Sequence, residues 1–321
     1  MIRLGLQLPI FAYPDLPDSR LFDRIVEVAT AAEVCGFDAL FLMDHVQQIG
    51  GVGRPEDPML EPYTLLGALA ARTTRIRLGT LVTGVVYRNP ALLAKMVTTL
   101  DVISNGRAIL GIGAAWYQDE ATRYGYDWPA AGERLDRLED ALRICRAMFT
   151  EERTTVDGRF HRVHDALNNP RPIQPGGPKI LIGGGGERRT LRLAAQYADA
   201  CNIFDSLNAV RRKLPVLDRH CRELGRDPSA ITKTRLSMLC LAPTAAEAER
   251  KLDETLARLP SPLPKDQLRK LFVAGDPDAV RRQVQEHLEA GLDGLVFSFP
   301  HGASPEEVDF AGCTLSPLLI S

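Results

Sequence analysis

Eight apolar runs of strand length alternate, almost throughout, with stretches of helical periodicity along this chain of 321 residues. No other feature limits the fold as tightly. The runs are IRLGLQL (2–8), DALFLM (38–43), RIRLGTLV (75–82), RAILGIG (107–113), KILIG (179–183), DACNI (199–203), TKTRLSMLCL (232–241) and GLVFSF (294–299). Strand and helix in strict alternation build parallel sheets with the helices laid over them. Eight units in a chain of this length predict a (β/α)8 TIM barrel with insertions, read as one domain. The alternative is an open doubly wound sheet. It has no GxGxxG after the first strand to support it.

Local punctuation agrees with this reading. Asp18 is placed to cap a helix carrying Leu21, Ile25, Val28 and Ala32 on one face, and Gly36 to end it. Asn89-Pro90 open another helix and Asn105-Gly106 close it, with proline at the first helical position, where its missing N–H is not needed. A helix runs from about Glu61 to Arg72, and another carries Leu135, Leu138, Leu142 and Cys145. Three segments break the rhythm and are read as insertions: about 46–60, 150–178 and 255–270. The second contains a hairpin turning at Asp157-Gly158 and a proline-rich linker. The third holds Pro260, Pro262 and Pro264 in an irregular excursion.

Composition narrows the function classes. Lys and Arg (39) nearly balance Asp and Glu (41), and no basic stripe marks a nucleic-acid partner. No apolar run approaches the roughly 20 residues of a membrane span, and the N-terminal residues lack a signal-peptide pattern. The six cysteines are scattered without a CxxC pair, which suits neither zinc nor a disulfide framework and fits a reducing cytoplasm. His161 and His164 form HxxH inside the expected hairpin with no third ligand near, so they are read as non-ligands. His220, His287 and His301 are read as surface residues. No GxSxG marks a nucleophilic serine.

In a barrel, the chemistry sits at the carboxyl ends of the strands. The second run stops at Asp44-His45, and an imidazole there suits proton transfer near neutral pH. After the fifth comes GGGGERRTL, Gly183 to Leu191. Four glycines let main-chain N–H groups converge, and a helix starts immediately after. That is a phosphate cradle, to which Arg188 and Arg189 add charge. It is not a P-loop, because no Lys-Ser/Thr follows. GIGAA (111–115) offers a second patch of small residues. The substrate is expected among loops 46–60, 116–130 and 255–270, where Trp116, Tyr117, Tyr126 and Trp128 suggest an apolar lining.

Taken in order, LFLMDHV, LGTLVTGVVYRNP, LGIGAAW and PKILIGGGGERRTLRLAAQYADACN resemble the bacterial luciferase-like flavin and deazaflavin oxidoreductases. The nearest branch is the one using coenzyme F420. The resemblance spans the whole chain to AGLDGLVFSFPHG. It implies a barrel with insertions, a homodimer, and hydride transfer between F420 and a small organic substrate, with an F420- or flavin-reducing enzyme as indirect partner. An FMN-dependent monooxygenase is the alternative, and a non-catalytic flavin-binding barrel the third reading. Carried over, Asp44 matches a contact to the deazaflavin edge, and His45 an acid/base partner. Leu81-Val82 matches a non-prolyl cis peptide behind the ring. Gly113, Ala114 and Ala115, with Gly183, Gly184, Gly185, Gly186, Glu187 and Arg188, match the positions around the phosphate-bearing tail. Two positions depart. Where the sugar-phosphate dehydrogenases of the family carry a tryptophan after the Asp-His pair and a glutamate after strand four, this chain has Ile49 and Trp116. The proton chemistry proposed for those enzymes is therefore not expected intact.

Overall fold

Eight parallel strands close on themselves: β1 (Leu4–Leu8), β2 (Ala39–Leu42), β3 (Arg77–Thr80), β4 (Ala108–Gly113), β5 (Lys179–Gly183), β6 (Ala200–Ile203), β7 (Thr232–Leu241) and β8 (Gly294–Ser298). Each pairs with the next, and β8 returns to β1 through Leu4↔Leu295 and Leu6↔Phe297. Closure excludes the open sheet. This computed structural model describes every residue except Met1, Asp15, Pro260, Pro262, Ile320 and Ser321. Side chains alternate across the sheet as strand geometry requires. In β2, Leu40 and Leu42 join the large core under the helices, whereas Ala39 and Phe41 join Ile2, Ile109, Leu181 and Val296 in a second, smaller apolar cluster. Both clusters are built of buried apolar side chains, whose removal from water favours the fold.

The helices are α1 (Leu21–Val34), α2 (Pro62–Ala70), α3 (Pro90–Ile103), α4 (Gln118–Arg123), α5 (Ala131–Thr150), α6 (Thr190–Tyr197), α7 (Leu207–Glu223), α8 (Ala245–Arg258), α9 (Lys265–Arg269), α10 (Pro277–Glu289) and α11 (Pro305–Leu319). Among the described residues α2, α3, α7, α8 and α10 start at a residue whose side chain caps the first turn. Asn89 accepts from Ala91 N–H and Leu92 N–H, and Glu61 accepts from Tyr63 N–H and Thr64 N–H. Asp18 does not cap α1. It begins a single 3-10 turn over Asp18–Arg20 that runs into the helix, whose first residue follows Arg20 without a side-chain cap bond.

The segment expected to wander over 255–270 is more regular than its prolines suggest. Its first residues complete α8, and α9 follows. Pro260 and Pro262 lie outside the described residues. Just beyond, Phe272–Gly275 forms a strand that the sequence reading missed, and it pairs parallel with the upper half of β7 from Met238↔Phe272 to Leu241↔Gly275. On that same edge the lower half of β7 pairs with β6, from Thr232↔Ala200 to Arg235↔Ile203. One edge of β7 thus passes from a barrel neighbour to a spur strand.

Arg235 fills the handover and is 1% exposed. It donates to the carbonyls of Asp205 (2.7 Å) and Lys270 (2.9 Å), and its Nη1 lies 2.7 Å from Ser237 Oγ and 2.6 Å from His287 Nε2. Buried main-chain oxygens need donors, and Arg235 supplies them where no strand does. His287 is therefore a core residue, as is His220, and neither is a surface histidine. His287 lies on the apolar stripe of α10 with Val280 and Val284. Its Nδ1–H donates to Gln283 O and its Nε2 accepts from Arg235. Burial, with Arg235 adding to it, pulls this imidazole down to about 4.

Candidate active site

Because all eight strands run parallel, their carboxyl ends share one rim, and residues distant in sequence meet there. Asp44-His45 leave β2 two residues past its last paired position. The bond between Leu81 and Val82, just after β3, is cis. Gln7 on β1 donates to Leu81 O across the mouth (2.9 Å). The Val82 methyls lie over β4 and β5, so that a Cβ added at Gly113 or Gly183 would stand 2.9 or 2.7 Å from them. Three strand ends thus touch through one valine and two glycines that leave it room.

Asp44 is 3% exposed, and both its oxygens accept from Arg88 Nη1 at 2.8 Å. Oδ2 also accepts from Gly84 N–H at 3.0 Å. Burial raises this carboxyl above its ordinary range, against the pull of Arg88 and Gly84 N–H. With three donor contacts on two oxygens, it is held as an anion. Arg88 also donates to Glu61 (2.8 Å) and lies over the Tyr63 ring, 4.8 Å from its centroid. Asp44 is consequently a rigid part of the wall.

His45 is held by a residue that the sequence reading passed over. Glu120, on α4, is completely buried, and its Oε2 lies 2.6 Å from His45 Nδ1 and accepts from Tyr87 Oη at 2.6 Å. Its Oε1 accepts from Val46 N–H (2.5 Å) and Gln47 N–H (3.2 Å). Burial alone would raise the Glu120 carboxyl, but these contacts, His45 first, outweigh it and hold the group below the usual carboxylate range. Burial and the adjacent carboxylate push the Tyr87 phenol well up, so it stays a donor. Glu120 thereby fixes the tautomer: Nδ1 carries the proton toward the carboxylate. His45 Nε2 has no hydrogen-bond partner among the described residues. Trp116 does follow β4, where the resemblance places a glutamate, but four residues later Glu120 supplies a buried carboxylate all the same.

The glycine segment, Gly183 to Gly186, leaves β5 and leads toward α6. Gly184 has φ +132° and donates to Asn202 O. A Cβ on Gly185 would come within 2.7 Å of Lys213 Nζ, and one on Gly186 within 2.8 Å of Thr190 Oγ1. The N–H groups of Gly185, Gly186 and Glu187 donate to no acceptor among the described residues. Lys213, paired with Asp205 at 2.7 Å, was not foreseen as a neighbour of this loop. Glu187 turns away, its carboxylate bonded to Arg212 (3.1 Å) and its carbonyl to His220. Arg188 is exposed, and Arg189 binds Asp136 and Gly132 O. Of the aromatics expected to line a pocket, Tyr126 packs edge-on against Tyr87 and Trp128 lies under Arg134. A cavity of about 510 Å³ opens between Val52–Arg54, the end of α8 and Pro300-His301. Among the described residues no cluster of side chains could hold a metal, and no helix is long and apolar enough to cross a membrane.

Comparison with known proteins places this arrangement. The family described as luciferase-like monooxygenase matches residues 2–294. An F420-dependent glucose-6-phosphate dehydrogenase of Microbacterium testaceum is 31% identical over 305 residues, covering 87% of this chain and 88% of that protein. Among solved structures, an F420-dependent secondary alcohol dehydrogenase in complex with an F420-acetone adduct superposes with a TM-score of 0.82 at 18% identity, covering 97% of each chain. EDTA monooxygenase from Chelativorans superposes with 0.83 at 20% identity, covering 99% of this chain and 93% of the other. At such identities these two structures establish the shared barrel.

Proposed function

The chain belongs to the luciferase-like monooxygenase family, and from that premise we propose that it is an oxidoreductase moving a hydride between coenzyme F420 and a small organic substrate. The observation that carries the reading is the His45–Glu120 pair, whose free imidazole nitrogen stands on the same rim as the glycine cradle. The F420-dependent relatives, similar over most of their length, point to the deazaflavin.

The residues fit that cofactor. Three unpartnered N–H groups, a glycine loop and the start of α6 suit a phosphate. Lys213 and Arg188 suit the acidic tail beyond it. Leu81, Val82 and the glycines packed against Val82 form an apolar bed for a ring, with Asp44 at its edge. Gly113, Ala114 and Ala115 complete the tail channel. Bound there, F420 supplies a two-electron hydride acceptor when oxidised and a donor when reduced.

The protein does the rest. His45 Nε2 takes the hydroxyl proton of an alcohol as hydride leaves its carbon, or returns one to a carbonyl oxygen in reverse. Glu120 balances the imidazolium through Nδ1–H, and Tyr87 keeps Glu120 in place. Such a base contributes roughly 10²–10⁴-fold to rate, and holding donor carbon and acceptor in contact contributes further. A homodimer in a reducing cytoplasm, served by a separate enzyme that recycles the deazaflavin, belongs to the same proposal.

Titration with F420 tests the reading. A saturable change in its fluorescence is expected, and turnover of the bound complex without oxygen uptake. Formation of an oxygenated product from a substrate with reduced FMN in place of F420 would instead establish a monooxygenase. Tight binding with no acceptor found would leave a carrier protein, which has no need of a carboxylate buried against an imidazole.

A further inference from the structure

Trp116 is 62% exposed, although tryptophan is among the side chains proteins cover most completely on average. Its place is not a loop tip. Ala115 before it has φ +60°, a left-handed conformation that residues with a Cβ rarely adopt. The indole stands edge-on to His45, with ring centroids 6.1 Å apart and planes at 83°. Tyr117 meets the same imidazole at 6.2 Å and 84°, and tilts against Trp116 at 5.2 Å. Tyr117 is anchored in turn by Gly50 N–H, which donates to its hydroxyl at 3.4 Å. The catalytic imidazole is thus walled by two rings, one of which keeps an uncovered surface. Phe204, the residue after β6, is a second exposed ring on this rim, at 52%.

Three charged groups of the site are engaged. Arg88 serves Asp44 and Glu61, Glu120 serves His45, and Lys213 serves Asp205. What is offered beside Nε2 is an apolar π surface.

We propose that Trp116 is the specificity platform of the site, and that the substrate carries an aromatic or conjugated ring next to its reacting carbon. This rests on the hydride-transfer reading above. The ring lies on the indole and turns the oxygen toward His45. In the oxidising direction an aryl carbinol gives its C–H hydride to the cofactor and its O–H proton to His45, leaving the aryl ketone or aldehyde. One hydride, carrying both electrons, and one proton leave the alcohol, and each has a named acceptor.

The test uses the full chain carrying Trp128→Phe, which leaves Trp116 as the sole tryptophan. Acrylamide quenching is followed with the protein alone, with saturating F420, and with acetophenone, cyclohexyl methyl ketone or glucose added to each. Acetophenone is expected to shield the indole in a saturable way with or without cofactor, at least tenfold more tightly than the other two. With 1-phenylethanol as substrate, Trp116→Ala raises KM tenfold or more while kcat stays within about threefold, and Trp116→Phe recovers most of the loss. The platform is overturned if F420 alone shields Trp116, if glucose protects as well as acetophenone, or if Trp116→Ala leaves KM where it was. Failure of F420 to bind is read separately from its own fluorescence. It removes the cofactor while leaving the shielding experiment decisive.

Discussion

His45 Nδ1 and Glu120 Oε2 stand 2.6 Å apart although 75 positions separate them in the chain. The contact makes an imidazole with one nitrogen committed to a carboxylate and the other free at the mouth. Histidine bases in many enzymes are oriented in this way, by a carboxylate behind the ring.

His45→Ala is expected to lower kcat by about 10²–10⁴-fold while F420 affinity stays within a few-fold. Glu120→Gln acts on the same step indirectly. It lowers kcat less, with KM within a few-fold of the parent. An unchanged kcat in Glu120→Gln would show that the carboxylate only fills space.

Arg88→Met leaves the Asp44 carboxylate buried without its ion-pair partner. The loss is expected to be about 3–5 kcal/mol, the range for a broken buried pair, read as a lower urea midpoint. Asp44→Asn combined with Arg88→Met is expected to recover a large part of it. If the double variant is no better than Arg88→Met alone, the two side chains do not act as a pair.

Two glycines should respond in opposite ways to the same change. At Gly111 a Cβ would fall onto the Thr80 carbonyl oxygen, backbone that has nowhere to go, so Gly111→Ala is expected to destabilise by about 3 kcal/mol or more. At Gly185 it meets the end of the flexible Lys213 side chain. Gly185→Ala should therefore fold with an unchanged melting temperature and lose F420 affinity tenfold or more. Unimpaired binding by Gly185→Ala would argue against the cradle.

His287 gives the barrel a pH dependence with a definite sign. Its folded value of about 4 lies below the ordinary value near 6.5, so the unfolded chain takes up the proton first. Its stabilising effect is present in full above about pH 6.5 and is lost as pH falls toward the folded value, on the order of 3 kcal/mol at most. Urea midpoints at pH 7 and pH 5 should therefore converge in His287→Gln relative to the parent. Equal slopes in the two proteins would assign the effect elsewhere.

Much of this was legible in the chain because periodicity reports burial directly. All eight barrel strands follow from apolar runs, and Asn89-Pro90 marks a helix start by local chemistry alone. Glu120 was not legible. It sits in YQDEATRY, which reads as the exposed start of a helix, and it is buried only because His45, Val46 and Tyr87 come to it from other loops. The spur strand Phe272–Gly275 has four residues among prolines and charges, too few to show a period. His287 carries a readable signal, since it continues the Val280–Val284 spacing on α10, but by residue type alone a histidine there reads as surface.

The handover on β7 has a further reach. Met238 stands in register with Ser298 of the barrel on one side and with Phe272 of the spur on the other. Below it every register is fixed by ring closure. Above it, the spur pairs with β7 alone, and side chains tie this upper piece to its surroundings, Gln283 to Ala274 and Lys251 to Glu307. A graft could lengthen or exchange that upper piece without shifting one bond of the ring, provided that Arg235 remained to stopper the joint.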